Sequence, residues 1–230
     1  GRLRAIVIDP RNQNRIFIGA ASGGIWLTEN AGQTFRPLQD FMSSLSIGAL
    51  EMDPNNPNVL YAGTGESFAG LAGIGMFKSN DGGTTWNFLQ STTTDTALNT
   101  LGADWVTINR IAVSPANSNL VLAATGGGLF RSTNAGASWT KAETFEVMDL
   151  RFDPNNPANA IATGDLGFVA WTRNGGATWT RGTPLVTALV GRGGSARAEV
   201  AYARTRSGLV YMSLDNSTDN TGPRGEVWKS

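Results

Sequence analysis

Apolar and polar positions along the chain fall into short runs that recur in the same order. A run such as Ala5-Ile6-Val7-Ile8 stops at Asp9-Pro10, and Ala49 to Met52, Ile111 to Val113 and Leu150 to Phe152 stop likewise at Asp53-Pro54, Ser114-Pro115 and Asp153-Pro154. Proline cannot donate to a β-ladder and Asp, Asn and Ser bond their own backbone, so each run reads as a strand closed by a turn. A second apolar run follows (Arg15 to Gly19, Val59 to Gly63, Leu120 to Ala124, Ala160 to Thr163), then a glycine-rich turn and a third run. The third run ends in a fixed motif, clearest at Ser79-Asn80-Asp81-Gly82-Gly83-Thr84-Thr85-Trp86, and a short fourth strand follows the aromatic, as in Asn87-Phe88-Leu89. No stretch shows a sustained helical period, so the pattern predicts an all-β protein.

The motif, here called the box, recurs as Thr28, Asn30, Gly32 and Phe35; Ser79, Asp81, Gly83 and Trp86; Ser132, Asn134, Gly136 and Trp139; and Thr172, Asn174, Gly176 and Trp179. Glu226 to Ser230 would open a fifth copy. From Thr28 to Ser79, Ser132, Thr172 and Ser230 the steps are 51, 53, 40 and 58 residues. Four strands at such a period predict β-propeller blades, sheets that bury both faces only when neighbours stack on them. The expected division is a partial propeller over 1–230 with blades at about 1–45, 46–105, 106–147 and 148–190 and an incomplete blade at 191–230. Further blades or a neighbouring subunit are expected to close the ring. The box residues are expected to be structural: the hydroxyl and Asx side chains bond the amides of the turn, glycine supplies the unusual dihedral, and the aromatic pins the hairpin.

Lys and Arg together number 18, as do Asp and Glu, so no net field draws the chain to nucleic acid. With no Cys and no His, thiol, imidazole and nearly all zinc and haem chemistry is excluded, and no metal or cofactor is expected. No run approaches the roughly 20 apolar residues of a membrane span. The first residues do not read as a signal peptide, so export would rely on a signal outside this stretch.

At its boxes the chain resembles the Asp-box, or BNR, propellers, which include sialidases, sortilin-type receptor domains, the photosystem II assembly factor and the family 74 glycoside hydrolases. The run Asp53 to Glu66 looks most like the family 74 and sortilin-like branch. In those families the boxes lie on the face opposite the active site, which the resemblance therefore puts at the turns between second and third strands. Here these turns carry Glu66 and Asp165, candidate catalytic carboxylates two blades apart, as glycosidic hydrolysis requires two such groups. Family 74 enzymes have Thr-Asp-Ile-Gly-Gly at the first of these turns, with the Asp catalytic; this chain has Ala20-Ala21-Ser22-Gly23-Gly24, and Ala21 stands where the acid would be. Phe41, Phe68, Leu71 and Trp105 lie in or beside the longer loops as candidate ligand-binding residues, with packing under the loops as the alternative. The reading placed first is a secreted, periplasmic or cell-surface module that binds a protein or polysaccharide on the loop-bearing face. The alternative is a xyloglucanase-like hydrolase of β-glucan using carboxylates on that face.

Overall fold

A computed structural model describes residues 2–38, 42–67, 70–93, 103–164, 168–182, 198–215 and 225–229, with side chains of 214–215 and 225–228 excluded. The strands form five antiparallel sheets, each in chain order. The first sheet holds β1 (Leu3–Ile8), β2 (Ile16–Ala20), β3 (Gly24–Thr28) and β4 (Arg36–Pro37). The second holds β5 (Ile47–Met52), β6 (Leu60–Thr64), β7 (Met76–Ser79) and β8 (Asn87–Phe88). The third holds β9 (Ile108–Ser114), β10 (Asn117–Thr125), β11 (Gly128–Ser132) and β12 (Thr140–Glu143). The fourth holds β13 (Val147–Phe152), β14 (Ala160–Gly164), β15 (Val169–Thr172) and β16 (Thr180–Arg181), and the fifth β17 (Ala198–Tyr202), β18 (Val210–Asp215) and β19 (Gly225–Lys229). The architecture is that of propeller blades. First strands pack on first strands, β1 on β5, β5 on β9, β9 on β13 and β13 on β17.

Cores form between sheets, because each sheet is apolar on both faces. Phe17, Ile25 and Leu27 of the first sheet meet Leu50, Leu60 and Phe77 of the second; Tyr61 and Met76 of the second meet Ile111, Val121 and Phe130 of the third. Leu122 and Leu129 then meet Val147, Leu150 and Ala162, and a smaller set, Val200 and Met212 with Ile161 and Val169, fills the last seam. The box aromatic packs toward the preceding sheet, so Trp86 is 9% exposed whereas Phe35, in the first sheet, is 42% exposed. Strand alternation puts Ala170 inside and Trp171 on the opposite side, 37% exposed.

Turn chemistry at the boxes is local and complete. Ser79 Oγ donates to Asp81 Oδ1 (2.8 Å) and accepts from the Gly83 N–H (2.8 Å), while Thr85 donates to Asp81 through N–H (2.9 Å) and Oγ1 (2.6 Å). These bonds hold the Asp81 carboxyl at about 2, well below its usual range, with the Thr85 hydroxyl the main cause. The Oδ1 of Asn30, Asn134 and Asn174 likewise accepts from the amides of Thr34, Ser138 and Thr178, while the Nδ2 donates to their hydroxyls, so the turn needs an Asx oxygen rather than a charge. The Asp-Pro turns also bond between sheets, as Asn55 Nδ2 donates to Ser114 O (2.9 Å) and Arg11 Nη1 to Asn58 Oδ1 (2.9 Å).

Box and Asp-Pro turns share one face, since the amides of Ala31, Gly82, Ala135 and Gly175 donate to carbonyls of Asn14, Asn58, Asn119 and Ala158. The opposite face carries the turns between second and third strands and the links between sheets. There Gly24 N–H donates to Leu45 O, Gly65 to Ser46 and Gly126 to Thr107. Each of the first four inner strands has a bulge near this face, with an unpaired extra residue at Arg4, Gly48, Asn109 and Met148. Such bulges re-aim side chains.

Candidate functional site

Glu66 lies two residues beyond the end of β6. Gly65, at φ +86°, turns the chain, and Glu66 then pairs with Leu71 across a tight loop (N to O, 2.7 and 2.9 Å). The result is a carboxylate with no exposed side-chain surface, ion-paired with Arg2 and, at 3.4 Å, with Arg4 from the first bulge. Glu66 thus reaches from the second sheet to the inner strand of the first. Leu71 is partly buried at this loop. Ala21, which the resemblance would align with a catalytic acid, is 5% exposed and its amide donates to Arg2 O.

Trp105 is 7% exposed and its ring lies 4.4 Å from Phe130 and 5.2 Å from Trp139. The ring thus packs against aromatics of the third sheet. Asp165, Phe41 and Phe68 lie outside the described residues. The structure therefore places Glu66 and Leu71 together and puts Trp105 in the core between the second and third sheets.

Beneath the loop face runs a set of charged side chains on the inner strands. Arg110 Nε donates to Asp149 Oδ1 (2.7 Å), and its Nη2 lies 3.4 Å from Glu199. Arg151 approaches Asp149 at 3.5 Å, and the Val200 N–H donates to Asp149 Oδ2 (2.9 Å). Asp149 is fully buried, so one carboxylate ties the third, fourth and fifth sheets together. Asn109, on the third bulge, donates to Val147 O (2.8 Å) and accepts from Ser67 Oγ (3.3 Å). Burial works against the charge on Arg110, yet Asp149 and Glu199 hold its pKa above the ordinary value; Arg151, partly buried and facing Arg110, falls below it.

Sequence reasoning missed this spine. The signal was present: charges interrupt otherwise apolar first-strand runs at Glu51, Asp149, Arg151 and Glu199. Glu51 and Arg151 open onto a small cleft of about 160 Å³. Burial raises the Glu51 carboxyl to about 7, with Arg110, Arg151 and the Val113 amide only partly offsetting it. Between its ordinary value near 4.5 and 7, the folded chain holds a proton that the unfolded chain has lost, so this group lowers stability as pH rises. Glu51→Gln is accordingly expected to match the parent near pH 4.5 and to exceed it by about 2 kcal/mol at pH 8 in urea unfolding. An equal effect at both pH values would show that Glu51 does not titrate differently in the fold.

Among the described residues, no group of three or more acidic side chains is placed to hold a metal ion, and no helix is long and apolar enough to cross a membrane.

No protein-family model matches the chain. In sequence, it is 26% identical to a xyloglucanase of Acetivibrio thermocellus over 240 residues, covering 100% of this chain and 27% of that protein. A xyloglucanase of Hypocrea jecorina is 24% identical, over 93% of this chain and 26% of its own length. The chain thus spans about a quarter of the length of the curated relatives it matches. In structure, the GH74 xyloglucanase from Xanthomonas campestris superposes with a TM-score of 0.73 at 18% identity, over 100% of this chain and 36% of that one. The Niastella koreensis GH74 enzyme gives 0.73 at 22%, over 100% and 35%. YCF48 bound to D1 peptide gives 0.60 at 12%, over 98% and 66%. In sequence along its whole length and in its β-propeller architecture, this chain resembles the GH74 xyloglucanases.

Proposed function

We propose that the protein is a xyloglucan-directed β-propeller and that the face bearing the turns between second and third strands meets the polymer. The similarity to xyloglucanases over the full chain carries this reading, together with a loop face that holds the longer insertions. The carboxylate pair of a hydrolase would draw on Asp165 and on acids outside this stretch, because Glu66 is closed off by Arg2 and Arg4 and Ala21 offers none. One acid would protonate the leaving glycosidic oxygen while the other activates water or attacks the sugar, the separation of the two setting inversion or retention. A polymer of this kind is met outside the cell, so the proposed location is secreted or cell-surface.

A second reading, a glycan- or protein-binding module without turnover, is favoured by the same closed Glu66 and by Ala21. Affinity electrophoresis in xyloglucan gels and reducing-end release, both run on the protein at its natural length, separate the two. The expected result is retardation with release of reducing ends, and Asp165→Asn is expected to cut that release by about 10³-fold or more while retardation persists. Retardation without release would leave the binding module. Absence of both would overturn the xyloglucan reading and leave only a module for a protein partner or another glycan.

A further inference from the structure

One row of side chains lies at the same height on three neighbouring inner strands. Glu51 pairs with Tyr61, Ala112 with Leu122 and Arg151 with Ile161, and each of those partners pairs in turn with the residue just before a box. An acid, an alanine and an arginine therefore occupy the equivalent register of β5, β9 and β13. Because β5 packs on β9 and β9 on β13, the alanine stands between the two long side chains, and its methyl group leaves the space between them open. That space is the cleft of about 160 Å³, with Glu51 and Arg151 on its wall and Ile111, Ala112, Leu150 and Phe152 as apolar lining. Pro115 and Pro154 also border it, so it lies toward the box end of the inner strands, away from the loop face.

The polar groups here have bonding capacity to spare. Arg151 forms no hydrogen bond among the described residues and has one ion pair there, to Asp149 at 3.5 Å, although a guanidinium carries five N–H donors. Glu51 makes no ion pair among the described residues; the Val113 amide is its hydrogen-bond partner. Asp149 is shared between Arg110 and Arg151, and Glu199 meets Arg110 from a half-exposed position. Asp53, the other acid whose field reaches Glu51, spends its Oδ1 on the Asn55 amide. Positive charge is thus left over at Arg151, on the cleft wall.

We propose that the cleft binds a short monocarboxylate, of the size of formate or acetate, held by the Arg151 guanidinium and by the hydroxyl of a protonated Glu51. The planar fork of arginine matches a carboxylate, which accepts two parallel N–H bonds. The cleft has the volume of about five waters in the bulk liquid, room for a two-carbon acid with its methyl on the apolar lining but not for a sugar ring. An ionised Glu51 would repel the ligand, so a proton is taken up with it. Burial already holds the Glu51 carboxyl at about 7; Asp53 adds to the rise, and Arg110, Arg151 and the Val113 amide oppose it. A bound anion raises it further, so binding is full below pH 7 and is lost as pH rises above it. The inference concerns the face opposite the loops and is independent of the polysaccharide reading.

Sodium acetate, compared with sodium chloride at equal ionic strength, tests the site on the protein at its natural length. At about ten times its Kd, acetate is expected to raise Tm at pH 6 by about 3 °C or more beyond the effect of chloride. Saturation-transfer NMR is expected to show the acetate methyl bound, with an affinity that falls about tenfold between pH 6 and pH 8. Glu51→Gln keeps a donor at every pH and is expected to flatten that profile, whereas Arg151→Met is expected to weaken acetate about tenfold or more. A Tm gain no larger than with chloride and no transfer to the methyl would overturn the proposal. So would an acetate effect that survives Arg151→Met, or a profile that stays steep in Glu51→Gln. Glucuronate bound as tightly as acetate would also overturn it, since that acid is too large for the cleft. Should Arg151→Met fail to fold, the Glu51→Gln profile decides.

Discussion

Asp149→Asn is expected to lower the unfolding free energy by about 3–5 kcal/mol at pH 7. The carboxylate is fully buried and accepts from Arg110 and from the Val200 amide, with Arg151 at 3.5 Å. Asparagine keeps the shape but removes the charge, leaving two partly buried guanidiniums facing each other with Glu51 and the half-exposed Glu199 to balance them. At about 2–4 °C per kcal/mol for a chain of this size, Tm should fall by roughly 6–20 °C. Urea unfolding of the single variant and of Asp149→Asn with Arg110→Met checks the mechanism. Removing the stranded cation along with its partner should restore part of the loss, because apolar replacement of a buried ion pair is often near neutral. A loss below about 1 kcal/mol for the single variant would mean that water already reaches the spine.

Gly65→Ala is expected to cost about 3–4 kcal/mol, from backbone strain and overpacking together. At φ +86° the backbone is in a region that alanine adopts only under strain, and its Cβ would lie 2.0 Å from Val106 O and 2.9 Å from Thr107 Cα. Neither neighbour can yield as a flexible side-chain tip would, because both belong to the backbone that leads into β9. The displacement should reach Trp105 one residue earlier, so near-UV circular dichroism of the Trp105–Trp139 pair should change along with Tm. Wild-type stability with an unchanged aromatic signal would show that the Gly65 turn has slack.

Much of the fold was legible because its determinants are local. Alternation, Asp-Pro turns and the box each act within about ten residues, so the strands and their antiparallel order follow from the sequence alone. The site was harder, since its chemistry depends on neighbours a whole repeat away. Glu66 reads as a candidate catalytic carboxylate in a glycine turn until Arg2 and Arg4 are brought onto it. Trp105 sits in a long connection and reads as a loop aromatic, yet Phe130 and Trp139 of the next sheet enclose it. The charged spine left a sequence signal at Glu51, Asp149, Arg151 and Glu199, but knowing that these positions face each other requires the stacking of first strands. Bulges at Arg4, Gly48, Asn109 and Met148 left no recognisable signal, because one extra residue in an apolar run does not disturb the alternation enough to be counted.

In the seams that join the second, third and fourth sheets to one another, each sheet offers a side chain to carry the next sheet's turn and places a turn of its own on the sheet before. A gene encoding such a unit can be duplicated in tandem without inventing a new interface, since every copy arrives with both halves of the joint. Selection can then act on the loops of one face while the joints on the other stay fixed, which lets one ancestral repeat diversify into faces of unlike chemistry.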